Sequence, residues 1–327
     1  MVNAAPAGAD AALPQLDVSI ILPVYNEAEH LVQEVNRVRA AMDASPYSYE
    51  IIVVDDGSSD NSAEVASQIE GIRFLQFLEN RGSGSARKAG TSAALGRVTV
   101  WTDVDMTYPN DTIPQLVKEL EGYDQVVGAR RSEEGTHKAL RVPAKWLIRR
   151  LAQFLTGTKI PDLNSGFRAF RTDVARQYLN QLPVGFSCVT TITMTFLANG
   201  YSVKYVPIDY AKRAGESKFH WYKDTRRYAT QVVRMILSYN PLKIFMPVGL
   251  TLFGIGVVKL GFDIVGYDWH IATNTLLIIF AAFQVIVIGL LADLVTRATR
   301  GRSEAVPATA DYTGVRTAPA TRASVSS

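Results

Sequence analysis

The chain has 327 residues, enough for one large domain or two small ones with a real core, and its net charge of +3 is too small to suggest bulk nucleic-acid binding. The single cysteine, Cys188, excludes an internal disulfide framework, and with only four scattered histidines a structural zinc site is disfavoured. Both facts suit a body facing a reducing cytosol. Residues 1–16 lack a basic start and a continuous apolar stretch, which argues against a secretory signal and predicts a flexible N-terminal tail.

From Asp17 an apolar strand runs to Pro23 and is followed by Val24, Tyr25, Asn26 and Glu27. Leu31, Val35 and Val38 then fall at helical spacing within residues 27–42. Residues 49–58 read as a second buried strand running into the turn Asp55-Asp56-Gly57-Ser58, residues 62–69 as a helix and residues 72–78 as a third strand. A glycine-rich turn enters a helix over residues 80–90. The β-branched and aromatic run Val98-Thr99-Val100-Trp101 reads as another buried strand, leading into Asp103-Val104-Asp105. Pro109, Asn110 and Asp111 break the chain before a helix at 112–120 and a strand at 124–129. Alternation of strand and helix predicts an α/β fold with a parallel, helix-covered sheet.

From Leu242 the composition changes. Residues 242–265 and 273–295 are each long and apolar enough to cross a hydrocarbon core of ~30 Å, and the short connector makes them a hairpin. Basic residues crowd the outer flanks (Arg226, Arg227, Arg234 and Lys243 before, Arg297, Arg300 and Arg302 after), while the connector has no Lys or Arg. The positive-inside rule then predicts a multi-pass protein of the cell membrane, with both termini and the main domain cytoplasmic. Lys259 and Asp263, one helical turn apart, are expected to pair or snorkel. The expected divisions are a tail at 1–16, a cytoplasmic domain at 17–218, an amphipathic juxtamembrane helix at 219–240, the spans within 241–296, and a disordered tail at 297–327 rich, from Ser303, in Ala, Thr, Ser and Pro.

Side chains two apart on an extended segment point the same way, so Asp103 and Asp105 can face one spot at the strand's C-terminal edge, where open α/β sheets put ligands. Two close carboxylates repel unless a cation or proton lies between them, and a hard divalent ion shared with substrate phosphates is a common solution. The alternative is that they cap the helix starting near Asp111. Three loops should converge there. Tyr25 can stack on a base, Asp55 and Asp56 can accept from a base N–H or a ribose hydroxyl, and Gly82 to Gly84, with Arg87 and Lys88, can bring backbone close to phosphate or sugar.

Taken in order, Pro23-Val-Tyr-Asn-Glu27, Asp55-Asp56-Gly57-Ser58, Asp103-Val-Asp105, Asn164-Ser-Gly-Phe-Arg168 and Arg213-Ala-Gly-Glu-Ser-Lys218 resemble the inverting glycosyltransferase family two. Within it, residues 17–240 are similar to the polyprenyl-phosphate sugar transferases of the dolichol-phosphate mannose synthase group. The resemblance implies a GT-A fold, a Rossmann-like, mostly parallel sheet with a C-terminal two-helix transmembrane hairpin. It also implies transfer of a sugar from a UDP- or GDP-sugar to a polyprenyl phosphate, in a protein that often assembles with copies of itself. Pro23, Tyr25, Glu27, Val54 and Asp56 would line the nucleoside pocket, joined on the donor by Gly82, Lys88, Asp103, Val104, Arg213 and Lys218. Asp103 and Asp105 would hold Mg²⁺ or Mn²⁺. Arg130, Arg141, Lys145 and Ser165 would meet the acceptor phosphate, and Asp105, Asp162 and Arg168 would carry the chemistry, Asp162 as base or as orienting group. One departure is Thr107, where mannose synthases usually carry Gln. Another is Arg213, one residue closer to Gly215 than in many members.

Leaving-group charge on a diphosphate calls for a cation and Arg or Lys donors where that charge develops. An Arg fork at position 168 suits phosphate oxygens. Over residues 141–155, Trp146, Leu147, Leu151 and Phe154 can enter the headgroup region while Lys145, Arg149 and Arg150 meet anionic phosphate, and a second such helix is expected at 221–239. The competing readings are a polysaccharide- or protein-directed transferase of the same fold and a catalytically silent nucleotide-sugar binder.

Overall fold

The computed structural model describes residues 16–131, 146, 149–185, 187–211, 237, 239–266, 271–300 and 315–317. Four parallel strands form its centre: β1 (Leu16–Val24), β2 (Tyr49–Asp55), β3 (Arg73–Phe77) and β4 (Gly96–Trp101). They alternate with α1 (Ala28–Asp43), α2 (Ser62–Ser67) and α3 (Ser83–Ala93). After β4 come α4 (Ile113–Lys118), β5 (Gln125–Arg130), β6 (Arg168–Arg171), α5 (Thr172–Arg176), α6 (Cys188–Ala198) and β7 (Val203–Ile208). The chain closes with α7 (Leu242–Gly266), α8 (Thr273–Arg300) and β8 (Val315–Thr317). The sheet order is β7-β5-β6-β4-β1-β2-β3-β8, with β6 antiparallel to β4 and β5, and β8 antiparallel to β3. This is the predicted mostly parallel α/β sheet with helices on both faces.

Alternation along the strands explains why both faces are covered. Val18, Ile20 and Leu22 of β1 pack with Leu31, Val35 and Val38 of α1 and Ile113 and Leu116 of α4. Ile21, between them, faces the other way and joins Ile52, Val54, Trp101 and the α3 residues Ala86 and Ala89. A strand buried on both sides has no polar face to show, hence the unbroken apolar runs in the sequence.

Three glycines let α7 and α8 pack closely as an antiparallel pair. A methyl group at Gly249 would lie 2.4 Å from Ile286, at Gly256 2.6 Å from Ile279, and at Gly289 2.5 Å from Phe245. Both helices are long and apolar enough to cross a membrane, and Val257, Val258, Phe262, Leu277, Phe280 and Phe283 project outward from the pair. The expected Lys259–Asp263 pair forms, Nζ to Oδ1 at 3.1 Å. Asp263 also accepts from the Ala272 amide at 3.1 Å and from the Thr275 hydroxyl, so it caps the start of α8 and pins the turn between the helices.

The hairpin is seated on the sheet domain by a second cluster. Ile244 of α7 packs with Ala152, Leu155, Ile160, Leu163 and Met194. Lys243 Nζ donates to the carbonyls of Phe154 and Leu155 at 3.3 and 3.0 Å, the C-terminal end of a helix over residues 149–156. Tyr239 donates to the Thr191 carbonyl at 3.0 Å and shares a 3.1 Å contact with the Thr195 hydroxyl on α6.

Three differences from the sequence reading follow. β1 begins at Leu16, inside the expected tail. β4 ends at Trp101 because the next residues bend and Met106 takes a left-handed φ of 61°, so Asp103 and Asp105 do not lie on the extended segment expected to aim them. The region predicted as disordered from 297 instead continues α8 to Arg300 and returns Val315–Thr317 as an edge strand on β3. Those three residues are Val, Arg and Thr, two of them β-branched, so they suit a strand despite the polar composition around them. The expected juxtamembrane helix at 219–240 lies mostly outside the described residues.

Candidate active site

The loops after β1, β2 and β4 meet at one edge of the sheet, as their parallel direction requires. The first two are fastened to each other. Asn26, left-handed at φ 57°, accepts from the amides of Ser59 and Asp60 at 2.8 and 3.3 Å, and its own amide donates to the Ser58 hydroxyl at 3.0 Å. The Glu27 amide donates to Ser62 Oγ at 3.0 Å. This fastening leaves Tyr25 48% exposed at the rim, with Pro23 and Glu27 half-buried beside it.

Asp55 is spent on its own turn, accepting from the Ser58 hydroxyl and amide. Asp56, also buried at 2% exposed, accepts from the Arg81 amide at 2.8 Å. Burial raises its carboxyl above the ordinary value, although the amides of Arg81 and Gly82 pull the other way. Gly57 makes the turn possible: at φ 68° a methyl group would strike the Glu79 backbone at 2.4 Å.

The loop after β4 is locked from three sides. Arg87, on α3, donates to Asp103, and its guanidinium lies 5.8 Å from the Trp101 ring centroid. Asp105 accepts from the Thr107 hydroxyl at 2.5 Å and amide at 3.3 Å, so Thr107 does the orienting at the position where Gln was expected. Asn110 donates to the Asp103 carbonyl at 3.1 Å and to the buried carboxylate of Glu34 on α1, while Arg37 donates to the Tyr108 carbonyl at 3.3 Å. Tyr108 in turn accepts from the Gly166 amide at 2.7 Å and stacks on Phe167 at 5.8 Å. Sequence reasoning treated residues 109–111 as a chain break and missed this network. The available signal was Glu34, a carboxylate on the apolar stripe of α1.

Asp103 and Asp105 thus stand half-buried on one short loop, and both offer oxygen. Gly166 leaves a cradle beside them: a methyl group there would come within 2.9 Å of Asp103 Oδ2. Among the described residues no cluster of three or more His, Cys, Asp or Glu could hold a metal unaided. Two hard oxygen donors on one loop fit Mg²⁺ or Mn²⁺ completed by substrate phosphate, and do not fit a protein-only cage.

Arg130, at the end of β5, grips Asp162 through Nε at 2.7 Å and Nη2 at 3.0 Å, and its guanidinium lies 5.2 Å from the Tyr210 ring centroid. The Asn164 amide donates to Asp162 at 3.0 Å. Burial alone would raise the Asp162 carboxyl, but the hydrogen bonds and charge of Arg130 outweigh it and hold it below the ordinary value.

Several side chains expected at the ligand do something else. Arg168 is fully buried and its fork points into the protein, donating to the carbonyls of Val189 and Ser165 and to the Thr193 hydroxyl, so it organises the 164–168 loop and reaches no open surface. Burial, reinforced by the nearby Arg87, pushes its pKa down to about 10. Ser165 is wholly buried too. Val54 and Val104 point into the two cores, because alternate residues of an edge-forming segment face inward. The Gly82 and Gly84 backbone meets protein rather than ligand: methyl groups there would lie 2.6 Å from the Val184 carbonyl and 2.4 Å from that of Pro183. Lys88 follows suit, donating to the Leu182 carbonyl at 3.3 Å. Arg141, Lys145, Arg213 and Lys218 lie outside the described residues.

Residues 19–179 match the family described as glycosyl transferase family 2, and residues 240–298 match the GtrB C-terminal hairpin. An undecaprenyl-phosphate 4-deoxy-4-formamido-L-arabinose transferase of Edwardsiella ictaluri (strain 93-146) is 34% identical over 255 residues, covering 75% of this chain and 74% of its own. Its namesake from Aeromonas hydrophila subsp. hydrophila is 31% identical over 299 residues, covering 86% and 88%. Among solved structures, glucosyl-3-phosphoglycerate synthase from Mycobacterium tuberculosis, in complex with Mn²⁺, UDP-glucose and phosphoglyceric acid, shares 19% identity over 68% of this chain and 79% of its own, with a TM-score of 0.53. Mannosyl-3-phosphoglycerate synthase from Rubrobacter xylanophilus shares 23% over 68% and 72%, with a TM-score of 0.51. At that identity the solved structures speak for the fold. The identity to the curated relatives over three quarters or more of this chain, together with the family match at residues 19–179, makes this chain a member of glycosyltransferase family 2.

Proposed function

We propose that the protein transfers a monosaccharide, with inversion, from a UDP- or GDP-sugar to a polyprenyl phosphate at the cytoplasmic face of the cell membrane. The observation that carries this is that one domain holds both parts. The Asp103–Asp105 loop follows β4 at the sheet's C-terminal edge, and the same domain is fastened to the base of an apolar hairpin, by Lys243 on the Leu155 carbonyl, Tyr239 on the Thr191 carbonyl and Ile244 in the cluster of Leu155, Ile160 and Leu163. That attachment supports a reading in which the donor site works on an acceptor borne by lipid. The relatives named for undecaprenyl-phosphate acceptors support the lipid.

Tyr25 stacks on the base and Asp56 accepts from the nucleoside, with Pro23 and Glu27 completing the rim. Asp103 and Asp105 hold Mg²⁺ or Mn²⁺, which when bound stabilises negative charge on the diphosphate. Arg213 and Lys218 add their charge on the donor phosphates, while Arg141 and Lys145 serve the acceptor phosphate. An acceptor phosphate oxygen attacks the anomeric carbon from the side opposite the diphosphate. The new C–O bond forms as the old one breaks, and the nucleoside diphosphate leaves with the electron pair. With a second pKa near ~6 the acceptor phosphate is largely dianionic at neutral pH, so it needs positioning rather than deprotonation. Asp162, held anionic by Arg130, therefore orients Arg130 and the Asn164 turn and is not the base. Exposed Trp146 and Phe154, with Arg150 against the Trp146 ring at 5.6 Å, form a surface suited to headgroups.

The test is to incubate membranes holding the protein with labelled UDP- and GDP-sugars and a short-chain polyprenyl phosphate. One donor should give a labelled lipid whose anomeric configuration, read by NMR, is opposite to the donor's. Unaltered lipid under every donor would support a silent binder instead.

A further inference from the structure

Arg87 has no part in the proposed mechanism, yet its side chain is 3% exposed and ion-paired to Asp103, and among the described residues its buried Nε has no hydrogen-bond partner. A guanidinium in that position is held by geometry rather than by full satisfaction of its donors. Trp101 lies against it, and Trp101 is itself tethered by a 2.9 Å bond from its indole N–H to Thr91 Oγ1, which donates to the Arg87 carbonyl at 2.8 Å. Gly166 packs against the other side: a methyl group there would approach Asp103 Oδ2 at 2.9 Å and Arg87 Nη2 at 3.3 Å, so a larger residue would press on the ion pair. Arg168, also fully buried, stands close enough to repel it, so the protein concentrates two positive charges beneath a site expected to take a third.

We propose that Arg87 is a positioning residue that acts as a resident counter-cation for Asp103, so that a divalent metal binds well only together with the donor's diphosphate. With Arg87 paired, part of the Asp103 charge is offset, which weakens the hold of the two aspartates on a free metal ion. A nucleoside diphosphate brings further negative charge, and metal and nucleotide then bind with positive coupling. Arg87 meanwhile keeps Asp103 aimed and offsets part of the repulsion between the two carboxylates. The proposal rests on the metal reading of Asp103 and Asp105.

The experiment measures Mn²⁺ binding to the full chain in detergent, by the loss of the free-ion paramagnetic resonance signal, alone and with UDP or GDP. In the wild type the nucleotide should tighten Mn²⁺ binding by at least about tenfold, a coupling within the usual allosteric range. Arg87→Gln should bind Mn²⁺ alone at least about tenfold more tightly than wild type, as expected when a full neighbouring charge is removed. Arg87→Lys, which keeps the charge without the fork, should stay near wild type. Wild-type Mn²⁺ affinity that is the same with and without nucleotide overturns the proposal, and that measurement needs no variant to fold. Arg87→Gln binding the metal no better, or worse, overturns it as well. Failure of Mn²⁺ to bind even with nucleotide instead overturns the metal reading, and the proposal falls with it.

Discussion

Asp162 and Asp56 show how the partners of two buried carboxylates decide which way their pKa moves. Asp162 has a buried arginine fork and stays anionic, whereas Asp56 has only amide donors and is raised. The Asp162–Arg130 pair therefore stabilises the fold at neutral pH, and its contribution is lost as pH falls below the unfolded value of ~3.9 and through the lower folded value. Arg130→Met should cost about 3–5 kcal/mol in denaturant melts at pH 7, since it strands a buried charge, and the gap from wild type should close under acid conditions. For Asp56 the sign concerns binding. The carboxylate must be ionised to accept from the nucleoside, so donor affinity should rise with pH through a midpoint above 3.8 and level off at neutrality. Asp56→Asn should flatten that limb in a fluorescence or calorimetric titration.

At the scale of elements, the parallel core was legible because strands buried on both faces leave long apolar runs and each is followed by helical spacing. Both spanning helices were legible for the same reason, since length and hydropathy are local properties. What escaped was non-local. The antiparallel β6 is four residues long, too short to show a period, and it is held by pairing to β4 and β5. The roles of Gly82, Gly84 and Lys88 escaped because their partners at 182–184 lie about a hundred positions away in sequence, so a protein contact read as a phosphate loop. Likewise β8 had no signal beyond two β-branched residues. Its pairing shields one edge of β3, whose next residues lead to the Arg81 amide on Asp56. Deleting residues 301–327 should speed amide exchange across 75–77 while leaving the centre of β1 protected, measured by mass spectrometry. Unchanged exchange would count against the strand.

For the whole molecule, the proposed topology has both ends of the hairpin on one side of the bilayer, the side of the flanking arginines and lysines. Cys188 makes this testable. It is buried and its thiol is pushed up to about 11 by desolvation, so it should not react in the folded protein. In right-side-out vesicles an impermeant maleimide should label Asp268→Cys and spare Ser303→Cys, with the reverse in inverted vesicles. The sheet edge and the hairpin base were both foreseen from sequence, but their joining by Lys243 and Tyr239 depends on surfaces that only the folded chain brings together.

The central claim is that Asp103 and Asp105 gather a divalent cation that supports departure of the diphosphate as a lipid phosphate attacks. The direct measurement is initial-rate transfer to short-chain polyprenyl phosphate by wild type and Asp105→Ala, each with EDTA and after Mn²⁺ is restored. The wild type should lose activity on chelation and regain it with Mn²⁺, while Asp105→Ala should run at least about 100-fold slower in either state, in line with removal of a transition-state charge stabiliser. Transfer that survives both chelation and the substitution contradicts the account.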